Sequence, residues 1–153
     1  MDENNKYKLR TAEQRDWLFL FCVSKLAMLP VRKARNPDLE INLKEEFDEY
    51  YEKFDLEDMQ IIESNGTDVG RLRIERSPDQ IYVWGVQILP WFQGKDIGTA
   101  IFKDLIEESN NSNTPIKLKV DKANDRAISF YKKFGFIQDE DKEKHLIMKY
   151  NSK

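Results

Sequence analysis

The sequence predicts one α/β domain over residues 1–153, in which helices flank a mixed sheet that is partly antiparallel and partly parallel. Two segments with helical spacing of apolar residues lie in the first third of the chain, and three strand-like segments joined by tight turns follow them. From residue 81 onward, strand and helix patterns alternate, which is typical of parallel strands joined by crossover helices. A length of 153 residues fits a single domain.

The composition excludes several classes of function. Lys and Arg total 25 against 28 Asp and Glu, and this acidic balance gives no electrostatic basis for general nucleic-acid binding. A single cysteine, Cys22, excludes an intrachain disulfide and cysteine-rich zinc sites, and a single histidine, His145, leaves no histidine pair for a metal. The sequence therefore predicts no nucleic-acid partner and no metal, while 40% hydrophobic residues suffice for a core.

The longest apolar stretch runs from Trp17 to Val23 and resumes at Leu26 after a polar pair. It is too short to span a bilayer. Acidic residues precede it and no small-residue cleavage site follows, so it does not fit a secretory signal. We expect a buried helix here, no membrane contact and a cytoplasmic protein.

Two helices are predicted in the first third of the chain. Thr11, with Gln14 completing a capping box, predicts a helix over 11–29 that ends before a proline. Residues 30–38 are basic and predicted to be a loop. Apolar residues at helical spacing predict a second helix over 43–54.

Three antiparallel strands are predicted next. The segment 59–63 is followed by Asn65-Gly66, a strong signal for a two-residue hairpin turn. Residues 69–76 alternate in polarity, and after a second turn the segment 81–89 is rich in branched and aromatic residues.

The rest of the chain alternates between helix and strand. Helices are predicted over 97–109 and 124–134, and strands over 115–120 and 145–150. The run of Ser and Asn at 109–113 predicts a loop.

A polar loop between the strand 81–89 and the helix 97–109 is a candidate anion site. The first turn of a helix offers unpaired N–H groups and the positive end of the helix dipole, which suit a phosphate. Gly94 and Gly98 would let a phosphate approach the backbone, and Gln93 and Lys95 add donors. The loop lacks the P-loop and dinucleotide fingerprints, and an ordinary strand-to-helix loop is the alternative.

The loop and a second segment later in the chain together resemble one known superfamily. The loop is similar to the Q/R-x-x-G-x-G/A pyrophosphate loop of the GNAT superfamily of acyl-CoA-dependent N-acetyltransferases, and a later segment resembles that superfamily's N-x-x-A-x-x-F-Y-x-x-x-G-F pattern. The residues that match the later pattern are Asn124, Ala127, Phe130, Tyr131, Gly135 and Phe136. The strand Gly70-Arg71-Leu72 and the core Val86-Gln87-Ile88-Leu89-Pro90 resemble small bacterial members. The resemblance covers nearly the whole chain.

The resemblance implies a sheet of six to seven strands flanked by about four helices, with two central parallel strands splayed apart around acetyl-CoA. Backbone groups of Val86 and Ile88 would pair with the pantetheine arm, Asn124 would hydrogen-bond near it and Phe130 would pack along it. The residues implied for the pyrophosphate are Gln93, Gly94, Lys95, Asp96, Ile97, Gly98 and Thr99. The ribose phosphate could meet any of Lys95, Lys122 or Lys132. No metal is implied.

The resemblance also implies the chemistry, which is transfer of acetyl to a primary amine of a small molecule or peptide by direct attack in a ternary complex. Tyr131 matches the tyrosine that serves as general acid, and a backbone N–H near Ile88 could polarise the thioester carbonyl. Some relatives carry a glutamate as base where this chain has Tyr82. The base is therefore left open among Glu63, Glu75, Asp79, His145 and water.

Several features leave alternatives open. Asp96 replaces the usual middle glycine of the loop, so its carboxylate must point away from a pyrophosphate and binding is expected to be weakened. Asp96 and the missing glutamate favour the alternative of a non-catalytic acyl-CoA-binding or sensor module. Arg71 and Arg73 could bind a carboxylate of the acceptor or pair with glutamates across the hairpin. Trp91, next to Phe92, allows a homodimer.

Overall fold

The computed structural model describes residues 6–153, which form one seven-stranded sheet with helices on both faces. The α-helices are α1 (Trp17–Ala27), α2 (Leu29–Arg35), α3 (Leu43–Glu52), α4 (Ile97–Ser112) and α5 (Asp125–Lys133). The strands are β1 (Lys8–Thr11), β2 (Met59–Ser64), β3 (Thr67–Arg76), β4 (Ile81–Ile88), β5 (Ile116–Asp121), β6 (Ile137–Asp141) and β7 (His145–Tyr150).

The strands lie in the order β1-β2-β3-β4-β5-β7-β6, and every neighbouring pair is antiparallel except β4 and β5, which are parallel. The hairpin between β2 and β3 turns at Asn65 and Gly66, whose φ angles are 51° and 78°. Two positive φ angles in a two-residue loop are the geometry that matches the twist of paired strands. The mixed sheet and its splayed parallel pair confirm the predicted fold class.

Two hydrophobic clusters hold the helices on the sheet. The larger lies under α4 and α5, where Phe102 and Ile101 are almost fully buried against Leu72, Leu118 and other strand residues. The smaller packs α1 and α3 on the opposite face, around residues such as Leu20 and Ile61. Adjacent residues of one strand face opposite sides, so Ile61 joins one cluster and Ile62 the other.

The first predicted helix is wrong at both ends. Thr11 does not cap it but ends β1, and the capping box forms between Glu13 and Asp16, in a 3-10 turn over Gln14–Asp16 that leads directly into α1. The predicted loop 30–38 contains α2, because Pro30 falls in the first turn of that helix, where its missing N–H costs no hydrogen bond.

The predicted loop 109–113 is also wrong, because α4 continues to Ser112 and ends at Asn113 with a φ of 53°. The hydroxyl of Ser112 donates to the carbonyl of Glu108, so a polar side chain is satisfied within the helix. Strands β1 and β6 were not predicted. Both are edge strands, and β6 is exposed at every position, so it shows no alternation of apolar residues.

The approach of β3 to β4 depends on Gly70. A Cβ added at Gly70 would lie 2.2 Å from the backbone oxygen of Gln87 and 3.1 Å from the Cα of Ile88. Because both neighbours are backbone atoms, β4 itself would have to move.

We expect Gly70→Ala to lower the free energy of unfolding by about 3 kcal/mol, measured by denaturant titration. Gly98→Ala is the control, since a Cβ there would meet only side-chain atoms, at 3.7 Å or more. Equal stability of the two variants would contradict the close approach of the strands.

Candidate functional site

The site begins where the parallel strands β4 and β5 stop pairing. The ladder between them joins Ile81, Tyr82 and Val83 to residues 116–118, and β4 then continues to Ile88 without a partner on that side. The gap opens toward the carboxyl ends of both strands, which is where open α/β sheets commonly bind ligands.

A β-bulge in β4 decides which backbone groups face the gap. Gly85 pairs with Arg73 and Val83 pairs with the next residue of β3, so Trp84 is an extra residue. Beyond the bulge, the N–H of Leu89 donates to the carbonyl of Val69, toward β3. By alternation along the strand, the backbone groups of Val86 and Ile88 face the gap.

The loop after β4 presents a helix N-terminus beside the gap. Gly94 and Asp96 have φ angles of 76° and 64°, and α4 starts at the next residue, Ile97. The first helical hydrogen bond runs from the N–H of Ala100 to the carbonyl of Asp96, 3.0 Å apart. The three preceding N–H groups, those of Ile97, Gly98 and Thr99, therefore have no partner within the helix and can bind an anion.

The side chain of Gln93 secures this loop. Its amide nitrogen donates to the carbonyl of Ile88 over 2.9 Å, and its amide oxygen accepts from Arg126 Nη1 over 3.0 Å. Asn124 caps α5 by accepting from the N–H of Ala127 at 3.2 Å, which leaves its amide nitrogen as a donor. Arg126 was not singled out from the sequence, although it lies two residues after Asn124 in the matched pattern.

The charged residues of the loop are exposed, although Asp96 also lines the cleft described below. The Asp96 side chain is 70% exposed and lies 3.4 Å from the Lys6 ammonium. The Lys95 ammonium lies 5.6 Å from the centroid of the Phe92 ring, and Lys95 does not line the cleft. Lys122, another candidate for the ribose phosphate, forms an ion pair with Asp141.

A cleft of about 390 Å³ brings together, apart from Lys95, Lys122 and Lys132, the residues predicted for the cofactor and the acid. These are Val86, Ile88, Gln93, Gly94, Asp96, Ile97, Gly98, Thr99, Asn124, Phe130 and Tyr131. The cleft is also lined by Ala27, Met28, Pro30 and Val31. None of these four residues was predicted to line the cofactor site, and Pro30 and Val31 belong to α2, which replaces part of the predicted loop 30–38.

A second cavity of about 300 Å³ adjoins the cleft in the gap between the strands. Residues such as Val86, Asn124 and Tyr131 line both. Tyr131 is 9% exposed, and burial raises the pKa of its phenol to about 12. The phenol is thus protonated at neutral pH where the two spaces meet.

The candidate bases lie in different surroundings. Glu63 pairs with Arg10 at 3.0 Å, Glu75 accepts from the Trp84 indole at 3.1 Å, and Asp79 lies in the turn before β4. His145 lines the second cavity, and its register partner on β5 is Asp121.

The imidazole of His145 has a lowered pKa. Burial lowers it most, and the positive charges of Lys119, Arg35 and Lys144 lower it further, against the opposing effect of Asp121. His145 is therefore mostly neutral at pH 7 and can accept a proton.

Within residues 6–153, no helix is long and apolar enough to cross a bilayer. The same part of the chain contains no group of three or more His, Cys, Asp or Glu side chains arranged to hold a metal ion.

Solved structures of N-acetyltransferases share this fold. The PaiA N-acetyltransferase from Thermoplasma acidophilum, solved in complex with coenzyme A, is 16% identical with a TM-score of 0.72, over 95% of this chain and 98% of that one. Arabidopsis thaliana Naa50, in complex with a bisubstrate analogue, is 19% identical with a TM-score of 0.60, over 95% and 99%. An N-acetyltransferase from Staphylococcus aureus is 18% identical with a TM-score of 0.64, over 93% and 98%.

None of the curated proteins matches the chain. The sequence profile described as the Acetyltransferase (GNAT) family matches residues 28–136, a span that runs from the end of α1 to the start of β6. That span contains the gap between β4 and β5, the loop before α4 and the helix that carries Tyr131. The chain belongs to the acetyltransferase (GNAT) family.

Proposed function

We propose that this chain transfers an acetyl group from acetyl-CoA to a primary amine, with both substrates bound at once in the two adjoining cavities. The observation that carries the proposal is the position of Tyr131, whose protonated phenol lies where the cavities meet. The amine would enter the second cavity, on the side of Trp84, Lys119 and His145.

The cleft offers groups that suit both the pantetheine arm and the pyrophosphate of acetyl-CoA. The gap-facing N–H and C=O of Val86 would pair with the amides of the pantetheine arm, as an added strand pairs with a sheet edge. At Ile88 the N–H faces the gap, while the C=O accepts from Gln93. Free N–H groups at the start of α4 would hold the pyrophosphate. Gly98 favours close approach, since a Cβ there would point at the Phe130 ring and the Ile88 side chain, two walls of the cleft.

The residues of the chain position the reacting groups and move two protons. Acetyl-CoA supplies a thioester whose carbonyl carbon the neutral amine attacks, so that a C–N bond forms and the C–S bond breaks. The N–H of Ile88 would polarise the carbonyl oxygen. Tyr131 would give a proton to the departing sulfur, and His145 would take one from the amine.

The homodimer that Trp91 allows stays a prediction; its indole is 60% exposed beside the loop. The non-catalytic alternative remains a distinct outcome of the first experiment below, because a sensor would bind acetyl-CoA without turning it over.

Tyr131→Phe is expected to lower kcat by about 100-fold or more, because a general acid is lost, while the Kd for acetyl-CoA changes less than about threefold. Thiol release over a panel of amines, polyamines and peptides gives the rate, and calorimetry gives the Kd. Tyr150→Phe removes the same hydroxyl from a residue that bonds Asn110 instead, and should leave both values unchanged.

Wild-type protein that binds acetyl-CoA but releases no thiol above background with any amine would establish the sensor alternative. Full activity of Tyr131→Phe with a confirmed acceptor would remove the phenol from the mechanism.

Asp96→Gly and Asp96→Asn are expected to tighten acetyl-CoA binding by about two- to fivefold, because each removes a negative charge next to a helix N-terminus that would hold the pyrophosphate. Asp96→Asn is the matched variant, since it keeps a side chain that tolerates the left-handed backbone. Calorimetry at low and high salt measures the effect, and weaker binding by both variants would contradict it.

His145→Gln is expected to lower kcat/KM by about 100-fold and to remove an acid limb from the pH profile. Protonation of the imidazole inactivates the base, and since its pKa is lowered, that limb falls below the ordinary value of about 6.5. The titration of the acceptor amine appears in the pH profiles of both the wild type and His145→Gln, so it serves as the internal reference. An unchanged profile would assign the proton to water instead.

A further inference from the structure

Two arginines of β3 lie on the face toward α1 and α3 without a carboxylate partner among the described residues. The glutamates that could have paired with Arg71 and Arg73 are engaged elsewhere. Glu63 lies 3.0 Å from Arg10, and Glu75 accepts from the Trp84 indole. Arg10, which is also partly buried, contacts three carboxylates, those of Asp16, Glu63 and Asp68.

Arg71 is half-enclosed and poorly satisfied. Its Nε donates to the side-chain oxygen of Gln87, and its Nη1 lies 3.8 Å from the sulfur of Met59, a weak acceptor. Burial lowers the pKa of this guanidinium, yet arginine remains charged at any physiological pH. A charge held in this way is costly unless an anion joins it.

Arg71 does not itself line the second cavity, but its guanidinium lies directly behind two residues that do, Gly85 and Gln87. A Cβ added at Gly85 would lie 3.4 Å from Arg71 Nη2, so the group reaches β4 where that strand carries no side chain. Gly85 and Gln87 both line the cavity that would receive the amine.

Two further polar atoms on this face lack partners. Arg73 Nε is buried without a hydrogen bond to any described residue, and its guanidinium carbon lies 5.8 Å from the centroid of the Trp84 ring. The Tyr50 hydroxyl is likewise buried without a partner, and it is close enough to Arg71 for the positive charge to act on its pKa. Unpartnered buried donors in one place call for a ligand or water that they bind.

We propose that Arg71, supported by Arg73, binds a carboxylate of the acceptor, so that the preferred substrate is a primary amine that also carries a carboxylate. This inference rests on the proposed acetyl transfer. The other charges at the cavity agree with it. Lys119 lines the cavity, and Asp121 is already paired with Arg35, which leaves the surroundings positive and unfavourable to a polyamine.

The test compares acceptors that differ only in the carboxylate. A series of ω-amino acids from glycine to 6-aminohexanoate is assayed beside the matched ω-amino amides and the diamines of similar length. The best amino acid should exceed its amide about 10- to 100-fold in kcat/KM, as expected for a charge-assisted hydrogen bond. Amides or diamines that equal or exceed the amino acids would overturn the proposal.

Variants locate the preference. Arg71→Met keeps the length of the side chain and removes the charge, so it should abolish the preference through KM while turnover of the amide changes less than about threefold. Arg76→Met makes the same change on the same strand at a residue paired with Glu108, and should keep the preference. A preference that survives in Arg71→Met overturns the assignment, and a thermal melt of each variant verifies folding.

Product binding separates this inference from the proposed function. With coenzyme A saturating, the N-acetyl derivative of 6-aminohexanoate should bind the wild type more tightly than its amide, and Arg71→Met should remove the difference. This difference in binding is expected even if the protein turns over no acceptor. Absence of turnover would count against the proposed acetyl transfer and not against the carboxylate site. Equal binding of acid and amide to the wild type would overturn the carboxylate site.

Discussion

The broken ladder between β4 and β5 is the constraint on which the rest of the structure depends. Strand pairing normally satisfies every backbone N–H and C=O, and groups left unpaired inside a protein are costly. Beyond Val83, however, β4 has no neighbour on the side of β5. A partner from outside the chain can therefore add to the sheet at Val86 and Ile88, and the two cavities exist because no side chain fills this gap.

Contacts across the gap keep its two sides in place. Gln93 fastens the loop before α4 to the carbonyl of Ile88 on one side and to Arg126 of α5 on the other. Arg35 joins α2 to Asp121 on β5 and to the carbonyl of Lys144 ahead of β7. These hydrogen bonds and ion pairs are made by side chains, so the opening is braced without being filled.

Much of this arrangement could be predicted from the sequence, and the exceptions have physical causes. The hairpin at Asn65-Gly66, the alternating strands and the helix that begins at Ile97 follow local rules, and nearly all the residues that the family resemblance implies for the cofactor line the cleft. The edge strand β6 lacks apolar alternation because neither of its faces is buried. The short helix α2 was not predicted, because its first turn contains Pro30 and a proline usually marks the end of a helix.

The surroundings of the charged side chains could not be predicted, because they depend on contacts between residues distant in sequence. Arg10 and Arg71 both lie on predicted or observed strands, yet their surroundings differ. Arg10 contacts three carboxylates, whereas Arg71 contacts an amide and a thioether. Asp96 and Lys95 are both polar loop residues, but only the first lines the cleft. The sequence therefore predicts which residues lie near the site more readily than it predicts which of their charged side chains lack an ion-pair partner.

The bulge at Trp84 shifts by one residue the alternation that decides which backbone groups of β4 face β5. Before it, the backbone groups of Ile81 point toward β5, and after it those of Val86 and Ile88 do. A regular strand with the same residues and no bulge would instead turn the backbone groups of Gly85 and Gln87 toward the gap. The position of the bulge, as much as residue identity, thus decides which backbone groups of β4 face the gap.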